Sequence, residues 1–184
     1  KAAIELFVKI DIKNEEHLSQ SSMAEFSRLG SGSSCRSFFE PWALWFSEGV
    51  KPLEFPYMNL YHQVVVVESS KKKVSSSEAH RRVVSSPLFH GRVDRAEMRL
   101  ADLIHAFEHR DWRKAYETVW AEFWDMHALF ETSTPHFGYL QPGSLEVLRY
   151  IDNIWNEQGD GPLVTMDAGP NIHFLYREDQ LELA

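Results

Sequence analysis

A single cysteine, Cys35, stands among the 184 residues, so no disulfide within this chain can stabilise the fold. Positive charge is not in excess either, because the formal net charge is -8 at pH 7, which disfavours nonspecific binding to nucleic acid. No apolar run approaches the roughly 18 residues needed to span a bilayer, and no signal-like segment opens the sequence. These absences predict a cytoplasmic protein that binds neither nucleic acid nor membrane.

A P-loop is also absent, since no Gly-Lys-Ser/Thr follows a strand rich in β-branched residues. The chain instead carries SRLGSGSSCRS at residues 27–37, set between two apolar segments. Its glycines can adopt positive φ and let backbone N–H groups converge, while its hydroxyls and guanidinium add donors. The residues concerned are Gly30, Gly32, Ser31, Ser33 and Arg36. The pattern predicts a site for a phosphorylated or carboxylated small molecule, and a merely flexible Gly/Ser loop is the alternative.

A second motif, MDAGPN at residues 166–171, lies between two short apolar runs. Asp167 follows a short predicted strand and precedes Gly-Pro, so that the proline stiffens the turn that carries the carboxylate. A carboxylate held in this way is a candidate general base. The alternative is an Asx-type turn, in which Asp167 only caps its own backbone.

The two motifs, in this order and at this separation, resemble the diphosphomevalonate decarboxylases of the GHMP kinase superfamily. Three further blocks take part in the resemblance, which covers nearly the whole chain. They are KKKVSS at residues 71–76, SPL at 86–88, and MHA at 126–128 followed by FGYL at 137–140.

The resemblance implies ATP-dependent conversion of (R)-5-diphosphomevalonate to isopentenyl diphosphate, with release of ADP, phosphate and CO2. It implies that Asp167 contacts the 3-hydroxyl and accepts its proton, and that Arg36 binds the substrate carboxylate. Ser31, Ser33 and Ser86 would lie near the diphosphate. ATP and Mg2+ are the implied cofactors, and a homodimer is the implied assembly.

The family places its ATP-binding loop upstream of the first motif, and no second loop of this kind precedes Ser31 here. We therefore expect these residues to be the C-terminal portion of a longer polypeptide that is inactive without its upstream part. Residues 1–55 would be the remnant of the N-terminal domain, including the anion-binding turn. Residues 56–184 would form the C-terminal domain with the catalytic aspartate.

Periodicity predicts an α+β fold, with helices packed on one face of a mainly antiparallel sheet. One long central helix should follow a cap at Asp111, and the next should end at Gly159. The predicted helices are 2–12, 18–29, one through 100–107, one from Asp111 through Phe130, and 144–158. The predicted strands are 61–68, which its four valines suggest is buried, 163–166 and 172–177.

The sequence leaves alternative functions open and also bears on a lysine run and on a pair of histidines. The related mevalonate 3-kinases and phosphomevalonate decarboxylases fit the same motifs, and so does a noncatalytic half that only binds substrate or a partner chain. Residues 71–73 are interpreted as a solvated strand end rather than a binding patch, although a lysine there could guide an anionic substrate inward. His105 and His109 have a spacing that can bind zinc, but without an HExxH frame or an obvious third ligand the sequence predicts no metal site.

Overall fold

The structure is a computed structural model that describes residues 19–46, 49–70 and 72–183. The chain divides into two compact units, the first ending at Met58 and the second beginning at Asn59. The sequence places this boundary after residue 55. The helix expected over residues 2–12 lies outside the described residues. Among the helices that are described, none has the length and apolar character needed to cross a membrane.

The first unit builds a small core from a helix and a 3₁₀ segment beside a two-stranded antiparallel sheet. The helix begins after Ser19, whose Oγ accepts the backbone N–H of Ser22. Ala24 of this helix packs with Cys35 and Phe38 of the 3₁₀ segment, all three being buried. The elements are α1 (Gln20–Arg28), the 3₁₀ segment Gly32–Phe38, β1 (Trp42–Phe46) and β2 (Gly49–Leu53).

The second unit combines helices with a three-stranded antiparallel sheet whose order is β3-β5-β4. Its elements are β3 (Tyr61–Val65), α2 (Ser76–Arg82), α3 (Arg92–Glu108), α4 (Trp112–Glu131), α5 (Pro142–Gln158), β4 (Leu163–Met166) and β5 (Ile172–Tyr176). Short 3₁₀ segments cover Val83–Ser85, Pro87–Phe89 and Glu178–Leu183. The α+β class predicted from the sequence is confirmed.

Local signals set the start of α4 and the end of α5. The Asp111 carboxylate accepts the backbone N–H of Lys114 at 2.9 Å, which caps α4 as predicted. Gly159, with φ of 73°, ends α5, because a left-handed residue suits glycine there. The Trp155 ring of α5 is buried and stacks on Tyr116 of α4 with centroids 4.1 Å apart. Aromatic packing therefore joins the two helices.

The prediction of a buried strand over residues 61–68 is wrong in two respects. The strand ends at Val65, and four of its five residues are exposed, whereas β4, at the other edge of the sheet, is largely buried. Beyond it, the Asn171 side-chain oxygen accepts the backbone N–H groups of Val67 and Glu68. These bonds replace strand pairing. A run of valines cannot distinguish an edge strand from a central one, because both favour β-branched residues.

Candidate active site

Asp167 lies in the turn that joins β4 to β5. The turn is closed by the N–H of Gly169, which donates to the Asp167 carbonyl at 2.8 Å. The carboxylate contacts Lys72, with 3.5 Å between Oδ2 and Nζ. The side chain of Asp167 is 64% exposed and that of Lys72 is 36% exposed. The acid therefore has a cationic neighbour and remains accessible to a ligand.

Gly169 leaves the space in which these two side chains meet. A Cβ at this position would lie 2.9 Å from Oδ1 of Asp167 and 3.2 Å from both Nζ and Cε of Lys72. The first of these separations is shorter than real Cβ contacts allow. A side chain at this position would therefore displace the ends of these two charged groups, whereas the backbone conformation of Gly169 does not itself require glycine.

Other elements hold the backbone of the turn. The His127 Nε2–H of α4 donates to the Asp167 carbonyl at 3.1 Å, and the Ser144 hydroxyl of α5 donates to the Pro170 carbonyl at 2.7 Å. Asn171 adds the bonds to the two N–H groups beyond β3. The main chain on either side of the carboxylate is thus fixed from three directions.

His127 holds the turn of Asp167 with its imidazole in the neutral form. Burial lowers the pKa of His127, whose residue is 1% exposed, while the hydrogen bond to Asp167 acts in the opposite direction. A carbonyl only accepts, so Nε2 must carry the proton. Its role is to position the turn.

A cleft of about 510 Å3 opens beside Lys72. Its lining includes Lys72, Lys73, Arg82, His136, Tyr139 and Glu68. Tyr139 supports Lys72, since its ring centroid is 5.9 Å from Nζ, and its hydroxyl donates to the Val74 carbonyl at 3.0 Å. Burial raises the pKa of Tyr139, so this hydroxyl stays a donor. Three cationic side chains against one carboxylate make the cleft suited to an anionic ligand.

The Ser86 hydroxyl lies in the same unit but already has two partners. It is 2.6 Å from the Thr132 hydroxyl and accepts the N–H of Leu88, which caps a 3₁₀ turn. Ser86 is 5% exposed. A diphosphate would therefore reach this hydroxyl only after a rearrangement, and the substrate contact of Ser86 stays a prediction.

The predicted anion turn belongs to the first unit and forms a 3₁₀ segment. Neither Gly30 nor Gly32 has the positive φ that the sequence led us to expect. Among the described glycines, Gly91 and Gly159 have a positive φ. Gly32 instead gives room to Trp45, whose ring would lie 3.2 Å from a Cβ. Gly32 therefore serves to leave space for the Trp45 ring and not to form a left-handed turn.

The three donors of that segment are all exposed. Ser31 precedes the 3₁₀ segment, and its carbonyl accepts the Ser34 hydroxyl at 2.7 Å. The Arg36 Nε donates to the Ser33 carbonyl at 3.4 Å, and as far as the described residues go this bond leaves the terminal nitrogens available for a ligand. Anion binding by Ser31, Ser33 and Arg36 stays a prediction.

Sequence reasoning missed Lys72. It was interpreted as part of a solvated strand end, whereas it contacts a carboxylate 95 positions later in the chain. Lys71 lies outside the described residues. Two sequence signals pointed to this segment: a lysine there could guide an anionic substrate inward, and residues 71–76 formed one of the blocks of the family resemblance. Neither signal predicted the contact with Asp167.

The mixed helices and antiparallel sheet, with the carboxylate-bearing turn between two strands, define a C-terminal domain of the GHMP kinase class. Comparison with protein-family models identifies the family within this class. The chain belongs to the family described as the mevalonate 5-diphosphate decarboxylase C-terminal domain, which matches residues 63–184. The resemblance noted in the sequence is confirmed.

Individual relatives agree with this assignment. The chain is 28% identical over 176 residues to diphosphomevalonate decarboxylase of Schizosaccharomyces pombe, covering 88% of this chain and 44% of that protein. The crystal structure of a mevalonate diphosphate decarboxylase from Legionella pneumophila gives a TM-score of 0.91 at 47% identity, covering 98% of this chain and 57% of that one. A structure of MDDEF in complex with MVAPP, AMPPCP and magnesium gives 0.80 at 28% identity, covering 91% and 54%. The chain spans about half the length of the curated relatives it matches.

Proposed function

We propose that the protein to which this chain belongs is an ATP-dependent diphosphomevalonate decarboxylase of the mevalonate pathway. It converts (R)-5-diphosphomevalonate to isopentenyl diphosphate and releases ADP, phosphate and CO2. Membership of the decarboxylase family supports the reaction, and the MDDEF complex with MVAPP, AMPPCP and magnesium supports the ligands. A homodimer and a cytoplasmic location remain predictions.

The observation that carries the proposal is the arrangement of Asp167. An exposed carboxylate stands on a fixed backbone, 3.5 Å from an ammonium group and beside a cationic cleft. A base needs access to the proton that it abstracts, and it needs a defined position. Asp167 meets both requirements.

The chemistry follows from these groups. Asp167 orients the tertiary 3-hydroxyl of the substrate and accepts its proton as the oxygen becomes phosphorylated. Lys72 holds the carboxylate in place and offers positive charge beside the reacting oxygens. ATP, bound with magnesium, supplies the phosphoryl group.

The substrate has charged ends that other residues must hold. Arg36 offers a planar fork for the carboxylate that leaves as CO2, and its fixed geometry would orient that group. Ser31, Ser33 and Ser86 are proposed near the diphosphate. These four assignments rest on the family resemblance and on the exposed position of the first three donors.

The test is Asp167→Asn in the full gene product, with Asp102→Asn as the matched control. Asp102 is also an exposed aspartate beside a lysine, 3.8 Å from Lys114, but it lies on α3. We expect Asp167→Asn to lower turnover by about 10²–10⁴-fold, the usual contribution of a general base. Diphosphomevalonate affinity should stay within a few-fold, and Asp102→Asn should behave as wild type.

Product analysis separates the alternatives. Release of phosphate and CO2 in a one-to-one ratio supports the decarboxylase, whereas a stable 3-phosphate without CO2 identifies a 3-kinase. Turnover of the monophosphate in preference to the diphosphate identifies a phosphomevalonate decarboxylase. Turnover of Asp167→Asn within tenfold of wild type would remove Asp167 from the role of base, and no turnover by the wild type would favour a noncatalytic half.

A further inference from the structure

The last turn of α3 carries two histidines and a glutamate on one exposed face. Glu108 and His109 follow His105 by three and four positions, so each of them neighbours His105 on the helix surface. One ring nitrogen from each histidine and one carboxylate oxygen all lie within 4.8 Å of one another. The imidazole centroids are 4.0 Å apart. Three donor groups of the kind that bind transition metals therefore converge.

A hydrogen bond to the backbone fixes the orientation of the His109 ring. The Nδ1 of His109 lies 2.9 Å from the His105 carbonyl oxygen. Because a carbonyl only accepts, Nδ1 must carry the proton, and Nε2 of the neutral ring keeps its lone pair. An Nδ1–H bonded to a backbone carbonyl is the arrangement that fixes tautomer and ring orientation in metal-binding histidines.

We propose that His105, Glu108 and His109 form a surface site for a divalent transition-metal ion such as Zn2+. Two nitrogens and one carboxylate oxygen are the donors that zinc accepts, whereas Mg2+ and Ca2+ prefer oxygen ligands alone. Water completes the coordination. The sequence predicted no metal because it showed no third ligand, and the structure supplies Glu108 in that place.

The geometry needs only small side-chain movements. Metal–ligand bonds of about 2.0–2.1 Å place neighbouring donors roughly 3.4 Å apart in a tetrahedral site. The three side chains are exposed and can close by rotating about their χ angles. The negative end of the helix dipole adds a favourable interaction with a cation at this end of α3.

Metal binding would stabilise the corner between α3 and α4. His109 caps α3 and is followed by Arg110, which has φ of 56°, an uncommon conformation outside glycine. Helix ends fray most easily, so a metal that joins the last turn to its cap resists fraying here. The site is separate in sequence and element from the turn that carries Asp167.

The test is titration of the purified protein with Zn2+ by isothermal calorimetry in a buffer that does not bind metal. Variants are His105→Asn, His109→Asn and Glu108→Gln. The matched control is His90→Asn, which changes an exposed histidine on the segment before α3. We expect one ion per chain, and each histidine variant should weaken binding by at least about tenfold, which corresponds to about 1.4 kcal/mol. The control should bind as wild type.

Cu2+ provides a second readout that does not depend on affinity. Electron paramagnetic resonance of the wild type should show coupling to two imidazole nitrogens, and either histidine variant should show one. Circular dichroism melting checks that the variants fold. An unchanged spectrum and affinity in both histidine variants, or an equal loss in His90→Asn, would overturn the proposal.

Discussion

Replacement of Gly169 by alanine should separate catalysis from stability. The added Cβ would lie 2.9 Å from Oδ1 of Asp167 and 3.2 Å from Nζ of Lys72, so both side-chain ends must move by several tenths of an ångström or more. A displacement of about 1 Å in a reacting group can lower a rate by about 10²-fold. We expect a fall in turnover of about 10- to 100-fold.

The same substitution should have little effect on folding. The atoms that must move belong to an exposed ion pair, which typically contributes about 0–1 kcal/mol. Alanine also restricts the unfolded chain relative to glycine, which adds stability of about 0.4–1 kcal/mol where the backbone permits it. The two effects oppose each other, so the free energy of unfolding should stay within about 1 kcal/mol of wild type.

The assay is release of phosphate and CO2 by the full gene product, together with urea unfolding of the same samples. Gly143→Ala is the control, because its Cβ would lie at a similar 3.2 Å from a side chain, Val67, without contact to the ion pair. Turnover of Gly169→Ala within twofold of wild type would refute the positional argument. A stability loss above about 2 kcal/mol would show instead that the backbone of the turn has moved.

Two further predictions concern Arg36 and His127. Arg36→Lys should lose about 2–4 kcal/mol of transition-state stabilisation, because lysine keeps the charge without the bidentate fork; a raised KM with unchanged kcat in steady-state kinetics would contradict an orienting role. Because burial lowers the pKa of His127 in the folded state, its contribution to stability is complete above the unfolded pKa of about 6.5 and is lost as pH falls through the lower folded pKa. Urea unfolding should therefore show stability falling with acid by at most about 1.4 kcal/mol per pH unit from this group, and His127→Gln should remove that component. An unchanged pH slope in the variant would exclude His127 as its source.

The sequence predicts α4 and α5 well because their boundaries depend on nearby residues, whereas it did not predict the short helix α2. The Asp111 cap and the Gly159 end each act within one helical turn, so the local pattern contains the information. The extent of β3 was not predictable in this way. It depends on Asn171, which lies in another part of the sequence and takes the N–H groups that a longer strand would have used.

The candidate site shows the same division between local and distant information. Asp167 was predicted as a site residue because its Gly-Pro turn is a local signal, whereas the ion pair with Lys72 depends on how distant segments meet. A lysine within a run of three gives no sign of which member has a partner. Gly169 could be recognised as a turn residue, but its role in giving space to both charged groups required the tertiary structure.

The turn that carries Asp167 combines a main chain held by hydrogen bonds with an exposed carboxylate. The bonds from His127 and Ser144 are made to carbonyl oxygens, so they position Asp167 without occupying its carboxylate. Had the same donors bonded to the carboxylate, they would have stabilised its charge and weakened it as a base. Support through the backbone gives the acid a defined position and leaves its exposed carboxylate, beside Lys72, open to a ligand that enters the cleft.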